Sequence, residues 1–574
     1  MVGAVPITNR KGNEMKKLEK EWWRTGTVYQ IYPKSFCDSG NKGTGDIKGI
    51  ISKLDYLKEL GIDAIWLTPI YVSPMIDNGY DISDYYNINP DFGCMADFDL
   101  LLKMAHQKGI RIVLDIVVNH TSTEHKWFQS ALGNKESEYR DYYIWKDPIN
   151  GREPTNWESK FGGNAWALDE VTNQYYLHLF AKEQADLNWE NPKVRDEVKD
   201  IISFWAEKGV DGFRLDVINL ISKQQDYEND YQGDGRRFYT DGPRVHEYLR
   251  EISEAVFNKY GSVTVGEMSS TTLEECQRYS SLDGKELSMV FNFHHLKVDY
   301  ANGEKWTQAS FDFLQLKSIF NHWQQGMSGK GWSALFWCNH DQPRIVSRLG
   351  DDHAYRVESA KMLATSVHML QGTPYVYQGE EIAMTNPGYT SIKQYRDLES
   401  TNIYDILLNQ QDKSEAEVLA ILAQKSRDNS RTPVQWNSEA HAGFTKGTPW
   451  LEVAANYPEI NVDKALADKN SVFYYYQRLI ALRKEIAVIT SGDYTDLAPE
   501  HPQLFCYQRR NDKQTLICIN NYYGEPAEYQ LPAELKVAQG NYILGNYPEL
   551  LDKKPQQLMQ LKPYESRVLL LENT

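Results

Sequence analysis

No Cys-x-x-Cys pair, no His-Glu-x-x-His segment and no Cys/His cluster occurs in these 574 residues. A zinc or dithiol centre would therefore lack ligands at the spacing it needs. A Gly-x-Ser-x-Gly elbow and a P-loop are absent too, so serine acyl transfer and P-loop phosphoryl transfer lose their usual frames. No run is long and apolar enough to span a bilayer, and the N-terminus lacks the apolar core of a secretory signal. Basic excess is missing as well: 62 Lys and Arg against 79 Asp and Glu give a formal charge of −17. That balance argues against a broad nucleic-acid surface but leaves room for a local basic pocket. The cysteines, at 37, 94, 276, 338, 506 and 518, read as reduced thiols of a cytoplasmic, monomeric protein. Neither a metal nor a cofactor is expected. Residues 1–20 read as a leader ahead of the folded chain.

What is present is a repeated unit of short apolar strand followed by helix. The runs 27–33, 64–70, 111–118, 212–217, 262–267, 289–293, 334–340 and 373–379 make eight candidate strands, with helical stretches such as 46–61, 97–109 and 191–208 between them. Apolar strands covered by helices are what a (β/α)8 barrel requires, so the expected class is α/β with that barrel. Residues 121–184, rich in Trp, Tyr, Gly and Asn, interrupt the third unit and predict an inserted subdomain. The barrel is expected over 21–120 and 185–489, with 471–485 as its closing helix. From 490 to 574 strand-like runs at 504–510, 515–522 and 566–573 predict an antiparallel β-sandwich. The supply of 15 Trp and 37 Tyr suits sugar-binding faces and bulky cores equally.

Three acids end apolar runs: Asp216 in GFRLD, Glu267 in VTVGE and Asp341 after ALFWCNH. Burying an unpaired acid is costly unless the strand emerges into a polar pocket where the acid works. Strand alternation puts Arg214 on the same face as Asp216, where a guanidinium would keep the carboxylate ionised for nucleophilic attack. A structural ion pair at the barrel rim answers to the same pattern. Glu267 sits deeper in its apolar run, and desolvation would hold a proton on it, as a general acid needs. A capping or rim glutamate is its plain alternative. His120 and the His340–Asp341 pair are weak signals taken alone.

Together these segments resemble the α-amylase family of glycoside hydrolases, family 13, over about residues 20–574. Its four characteristic segments stand in order as DIVVNH at 115–120, GFRLDV at 212–217, VGEM at 265–268 and NHDQPR at 339–344, with QADLN at 184–188 as a fifth. The resemblance implies a retaining double displacement with Asp216 as nucleophile, Glu267 as acid/base and Asp341 as third carboxylate. Arg214, His120 and His340 would line the −1 subsite. DNGYD at 77–81 and RDNSRTPVQW at 427–436 resemble the oligosaccharide-cleaving branch. There Tyr80 would stack on the −1 glucose, Asp77 would bind its terminal hydroxyls, Arg431 would pair with Asp77, and Phe161 would form an apolar wall. The family's calcium loop has the form DSNGDGIGD; here it reads DSGNKGTGD at 38–46, with Lys42 in place of an acidic ligand. The resemblance therefore implies a lost calcium site with the lysine as its electrostatic substitute.

Val217, directly after the nucleophile, resembles members acting on α-1,6 bonds, though one methyl-sized contact discriminates by only about 1–3 kcal/mol. Longer segments at 233–244, 264–272, 291–306 and 322–327 resemble members that cleave trehalose 6-phosphate. The implied partner is thus a small phosphorylated disaccharide, with its phosphate on cations outside the closed end. Lys297 is the first candidate, followed by Lys305, Lys223, Arg236 and Arg237. An oligo-1,6-glucosidase or broad exo-α-glucosidase is the alternative. Isomerases of the branch carry RLDRD where this chain has KVDYA at 297–301. A noncatalytic, transporter-associated relative would lack the acids and carry a membrane helix.

Overall fold

The computed structural model describes Glu21–Asn573, so the expected leader lies outside the described residues. Eight parallel strands form the centre: Val28–Ile31, Ala64–Leu67, Arg111–Ile116, Gly212–Leu215, Val263–Glu267, Met289–Phe291, Ala334–Leu335 and Thr373–Tyr377. They pair in the order six, five, four, three, two, one, eight, seven. A parallel bridge from Val290 to Ser333 joins the sixth strand to the seventh edge and closes the cylinder. Every strand falls inside its predicted run. The seventh is cut to two residues, and beyond it main-chain carbonyls meet side chains instead of a ladder: Phe336 O meets His295 Nε2 at 2.8 Å and His340 O accepts from Arg431 Nε at 2.7 Å.

The covering helices follow from apolar stripes. In Pro192–Glu207 the buried residues Val194, Val198, Ile201, Ile202 and Trp205 share one face, and Asn191 caps the start by accepting from Lys193 N at 3.0 Å. The single helix expected over 46–61 is two, Ile47–Ser52 and Leu54–Leu60, because Lys53 at ψ 6° leaves helical geometry between them. Gly61, at φ 94°, supplies the left-handed residue that ends the second. The charged stretch near 408–428 belongs to a helical pair, Leu398–Asn409 and Glu415–Lys425. Val472–Glu485 matches the expected closing helix. Among the described residues no helix is long and apolar enough to cross a membrane.

After the third strand, His120–Ser122 pairs antiparallel with Gln184–Asp186, and the residues between carry a three-stranded sheet. Its aromatic richness has a packing cause. Trp157 and Trp166 form a buried cluster with Leu220, Tyr227 and Tyr239 from the segment after the fourth strand. The insert is thus anchored over the barrel mouth.

At the C-terminal end five antiparallel strands, Asp493–Asp496, Leu504–Arg510, Gln514–Asn521, Ser566–Glu572 and Asn541–Gly545, form one layer. The pair Ala527–Gln530 and Leu558–Leu561 forms the second. Alternation along the central strands explains the sandwich: Phe505, Tyr507, Leu516 and Cys518 join the barrel's core, while Leu504, Cys506, Ile517 and Ile519 join the core under the second layer. Lys317, buried in the helix Phe313–Met327, ties the layers to the barrel by donating to the carbonyls of Ala498 (2.8 Å), His501 (2.6 Å) and Leu504 (3.2 Å). Lys317→Ala should therefore cost on the order of 3 kcal/mol, because two buried carbonyls and a half-buried one lose their donor. Calorimetry should show the loss; an unchanged melting profile would refute this latch.

Candidate active site

Asp115 and Arg214 are register partners on adjacent strands, so their side chains point to the same side. Arg214 Nη1 donates to Asp115 Oδ1 at 2.8 Å and to Asp216 Oδ1 at 2.6 Å, while Nη2 donates to Glu267 Oε2. One guanidinium thus collects three carboxylates from three consecutive strands. Asp216 and Glu267 thus flank one guanidinium, on its Nη1 and Nη2 respectively. Two carboxyls held on one guanidinium face the same cavity, the kind of pair that glycosidic cleavage uses. Gly266 makes the crowding possible: a Cβ there would come within 2.4 Å of Met268 and 2.6 Å of Leu287. Val217 adopts φ 36°, a strained conformation for a β-branched residue, and its N–H donates to Glu267 Oε2 at 3.2 Å.

Burial dominates the titration of these acids. It pushes Glu267 up to about 8 against the opposing pull of Arg214, with Asp216 and Asp341 adding to the rise. Asp216 is raised as well, because burial and Asp115 outweigh Arg214. The expectation that Arg214 keeps Asp216 low is therefore corrected: one guanidinium shared by three acids cannot compensate them all. The pair holds a proton at neutral pH, on Glu267 in preference. Asp341 goes the other way. Burial pushes it up, but neighbouring positive charge holds it well below the usual carboxylate range. His340 is itself lowered by burial to about 3 and is neutral, so Arg427 and Arg431 carry that effect.

His340 lies between the rings of Tyr32 (centroids 6.1 Å apart) and Tyr80 (5.1 Å), stacked on both. Gln30 Nε2 donates to its Nδ1 at 2.8 Å, which leaves Nε2 as the protonated nitrogen, 3.3 Å from Asp341 Oδ2. Tyr80 OH donates to Asp115 Oδ2 at 2.9 Å. His120 contacts Tyr80 O at 3.1 Å, and burial lowers it to about 4. Both histidines are thus neutral hydrogen-bonding groups.

A cavity of about 300 Å³ opens onto these groups. Asp77, Tyr80, His120, Phe161, Asp216, Glu267 and Asp341 line it, while Arg214, His340 and Arg431 support it from behind. The expected Arg431–Asp77 pair is corrected. Arg427 Nη2 faces Asp77 Oδ1 at 3.2 Å, whereas Arg431 Nη2 binds Asp341 Oδ1 at 2.7 Å and its Nε donates to His340 O at 2.7 Å. The two arginines sit one helical turn apart, so either could reach from that segment; its heading Arg427 was the available signal. Arg427 also lies 5.0 Å from the centre of the Phe161 ring, which joins the loop after the eighth strand to the insert across one end of the cavity.

The predicted cations divide. Lys297 and Lys305 line the cavity, Lys305 paired with Glu399 at 2.7 Å. Lys223 is corrected to a structural residue: it is buried, its ammonium holding Asp186 at 2.8 Å and Asn119 Oδ1 at 2.9 Å. Arg237 is likewise corrected, since it turns to Asp230 at 3.1 Å and lies off the cavity wall. Arg236 pairs with Asp234 at 2.6 Å, yet its charge still bears on Lys297 and Lys160. Lys160 is a cavity-lining cation that sequence reasoning missed, although it directly precedes Phe161. Burial lowers it to about 8, helped by Arg236 and Lys297.

In the loop at 38–46, Asp38 accepts from Gly40 N, Gly43 N and Thr445 Oγ1 at 2.6–2.8 Å, and Asp46 accepts from Ser39 and Gly49. Both acids are thus engaged by protein donors. Lys42 is exposed and makes no ion pair among the described residues, which corrects its expected role as an electrostatic substitute.

This barrel, with its acid pair and closed pocket, defines an α-glycoside-cleaving architecture. The alpha-amylase catalytic-domain family matches residues 30–492, and the chain belongs to that family. It is 58% identical to the trehalose-6-phosphate hydrolase of Bacillus subtilis, over 96% of this chain and 99% of that one. It is 48% identical to the oligo-1,6-glucosidase of Halalkalibacterium halodurans, over 97% and 100%. The crystal structure of Bacillus licheniformis trehalose-6-phosphate hydrolase superposes with a TM-score of 0.92 at 58% identity, covering 96% of this chain and all of that one.

The charge pattern predicts a bell-shaped pH profile for kcat/KM. With Asp216 as the expected nucleophile and Glu267 as the expected acid, activity should rise as Asp216 ionises and fall as pH climbs through about 8, where Glu267 loses its proton. Glu267→Gln should lower turnover of α-glucosides by about 10²–10⁴-fold and abolish the basic limb. A basic limb that survives in this variant would assign the acid to another group.

Proposed function

We propose that the protein hydrolyses α,α-trehalose 6-phosphate to glucose and glucose 6-phosphate with retention of configuration. The unmodified glucose enters the −1 end, where Asp77 and Arg427 close the cavity. Glu267 protonates the glycosidic oxygen as Asp216 attacks C1, and glucose 6-phosphate leaves. Glu267 then removes a proton from water, which attacks C1 and releases glucose from Asp216. Asp341, kept ionised by its arginines, offsets positive charge developing on the sugar ring. Neutral His120 on the cavity wall meets its hydroxyls, Tyr80 covers its face, and His340 braces Tyr80 and Asp341 from behind.

The observation that carries the choice of substrate is the cation group on the cavity wall. Lys160 and Lys297 face the cavity, neither has an ion-pair partner among the described residues, and burial and the charge of Arg236 lower both, with Lys297 adding to the effect on Lys160. A phosphate would relieve this repulsion through charge-assisted hydrogen bonds. Lys305, already held by Glu399, is a weaker candidate. The near-full-length similarity to trehalose-6-phosphate hydrolases supports the same reading. The expected division assigns chemistry to the barrel, 21–120 and 185–489, the pocket wall to 121–184, and support to 490–574. A cytoplasmic monomer without nucleic-acid partners fits the free cysteines and the charge of −17.

Steady-state kinetics on trehalose 6-phosphate, trehalose, isomaltose and maltose test the proposal directly; equal use of the neutral sugars would favour an oligo-1,6-glucosidase or broad exo-α-glucosidase. Lys297→Ala should reduce kcat/KM for trehalose 6-phosphate about 10–150-fold, the equivalent of ~1.5–3 kcal/mol for a hydrogen bond to a charged group. Its effect on p-nitrophenyl α-glucoside should be far smaller. Equal losses on both substrates would remove Lys297 from the phosphate site.

A further inference from the structure

A second buried ion cluster stands behind the cavity wall, separate from Arg214. Asp299 follows the sixth strand and is held by Arg348 in two parallel contacts, Nε to Oδ2 and Nη2 to Oδ1, each 2.8 Å. Lys425 Nζ adds a contact to Oδ2 at 2.7 Å and donates to Asp299 O at 3.0 Å. Arg348 belongs to the helix Ile345–Leu349 after the seventh strand, and Lys425 ends the helix Glu415–Lys425 after the eighth. One carboxylate therefore ties together three successive excursions from the barrel mouth.

The location of this cluster is informative. Asp299 does not line the cavity, but Leu296, Lys297 and Tyr300 around it do. Arg348 also donates to Leu296 O, and to Oε1 of cavity-lining Gln342 at 2.8 Å. The three charged side chains are only 3–6% exposed. At that depth dehydration cancels much of the attraction, so such a cluster is a poor source of net stability and a better device for fixing one arrangement. Two cations on one carboxylate also leave a net positive charge behind the wall, which favours an anion in front of it.

We propose that Asp299 is a positioning residue that sets the wall for the departing half of the substrate and aims Lys297 into the cavity. It plays no part in chemistry at the −1 sugar. The identity of the anion it serves rests on the trehalose 6-phosphate reading; the role in the wall does not.

The test compares substrates that do and do not touch this wall. α-Glucosyl fluoride fills only the −1 subsite, because its leaving group is a single ion. Asp299→Asn should raise KM for trehalose 6-phosphate about tenfold and leave kcat, and kcat/KM for α-glucosyl fluoride, within about twofold. In a Lys297→Ala background the same change should add less than about twofold, since residues acting through one contact are not additive. Lys425→Met, which spares the Asp299–Arg348 pair, should give a smaller split of the same kind and decides the matter if Asp299→Asn does not fold. Parallel losses on both substrates, or full additivity with Lys297→Ala, would overturn the proposal. If the wild type shows no phosphate preference, the substrate reading fails. The split between isomaltose and α-glucosyl fluoride in Asp299→Asn then still upholds or overturns the role in the wall.

Discussion

The guanidinium of Arg214 holds Asp115, Asp216 and Glu267 in one buried cluster at the mouth of the barrel. Three carboxylates out of water repel one another, and one cation cannot neutralise them all. The excess is met by keeping a proton in the cluster, and Glu267, which burial, Asp216 and Asp341 together push up to about 8, is favoured to take it. Two carboxyls of unequal proton affinity therefore follow from one shared partner in an apolar setting. The backbone helps through the strained Val217, whose N–H is turned towards Glu267.

Around that centre the pocket is assembled from excursions that the barrel itself does not need. The insert after the third strand brings Phe161 and Lys160, while the segment after the eighth brings Arg427 and Arg431. Arg427 reaches Asp77, Asp341 and Asp397, so the closure of the pocket and the ionisation of Asp341 are coupled electrostatically. The Asp299 cluster lies outside this group, beneath another part of the wall. The acid pair and this part of the cavity wall thus rest on different ion clusters, one centred on Arg214 and the other on Asp299.

Much of this was legible in the chain. Buried parallel strands must be apolar on both faces, so their runs stand out, and all eight strands fall within the runs marked. An acid at the end of such a run is costly unless it meets a polar pocket, which marked Asp216, Glu267 and Asp341 as candidates that only the ordered family segments then separated from rim ion pairs. Legibility failed where a long side chain had several acids within reach. Arg427 and Arg431 are one turn apart, and nothing local says which of them meets Asp77. Lys223 and Lys297 look alike as loop lysines, yet one is buried against Asp186 and the other faces the cavity. Lys160 went unnoticed because a lysine beside an aromatic residue is unremarkable until the insert folds over the barrel.

The order of apolar runs and acids was enough to establish the barrel, the double layer at its C-terminal end and the presence of a two-carboxylate centre. Those features depend on local periodicity and on the cost of burying charge, both of which are written residue by residue. Two matters waited for tertiary structure: which cations are free for a ligand and which arginine closes the pocket. Each depends on the distances between charges brought together from distant segments and on the water excluded around them, and neither quantity exists before the chain has folded.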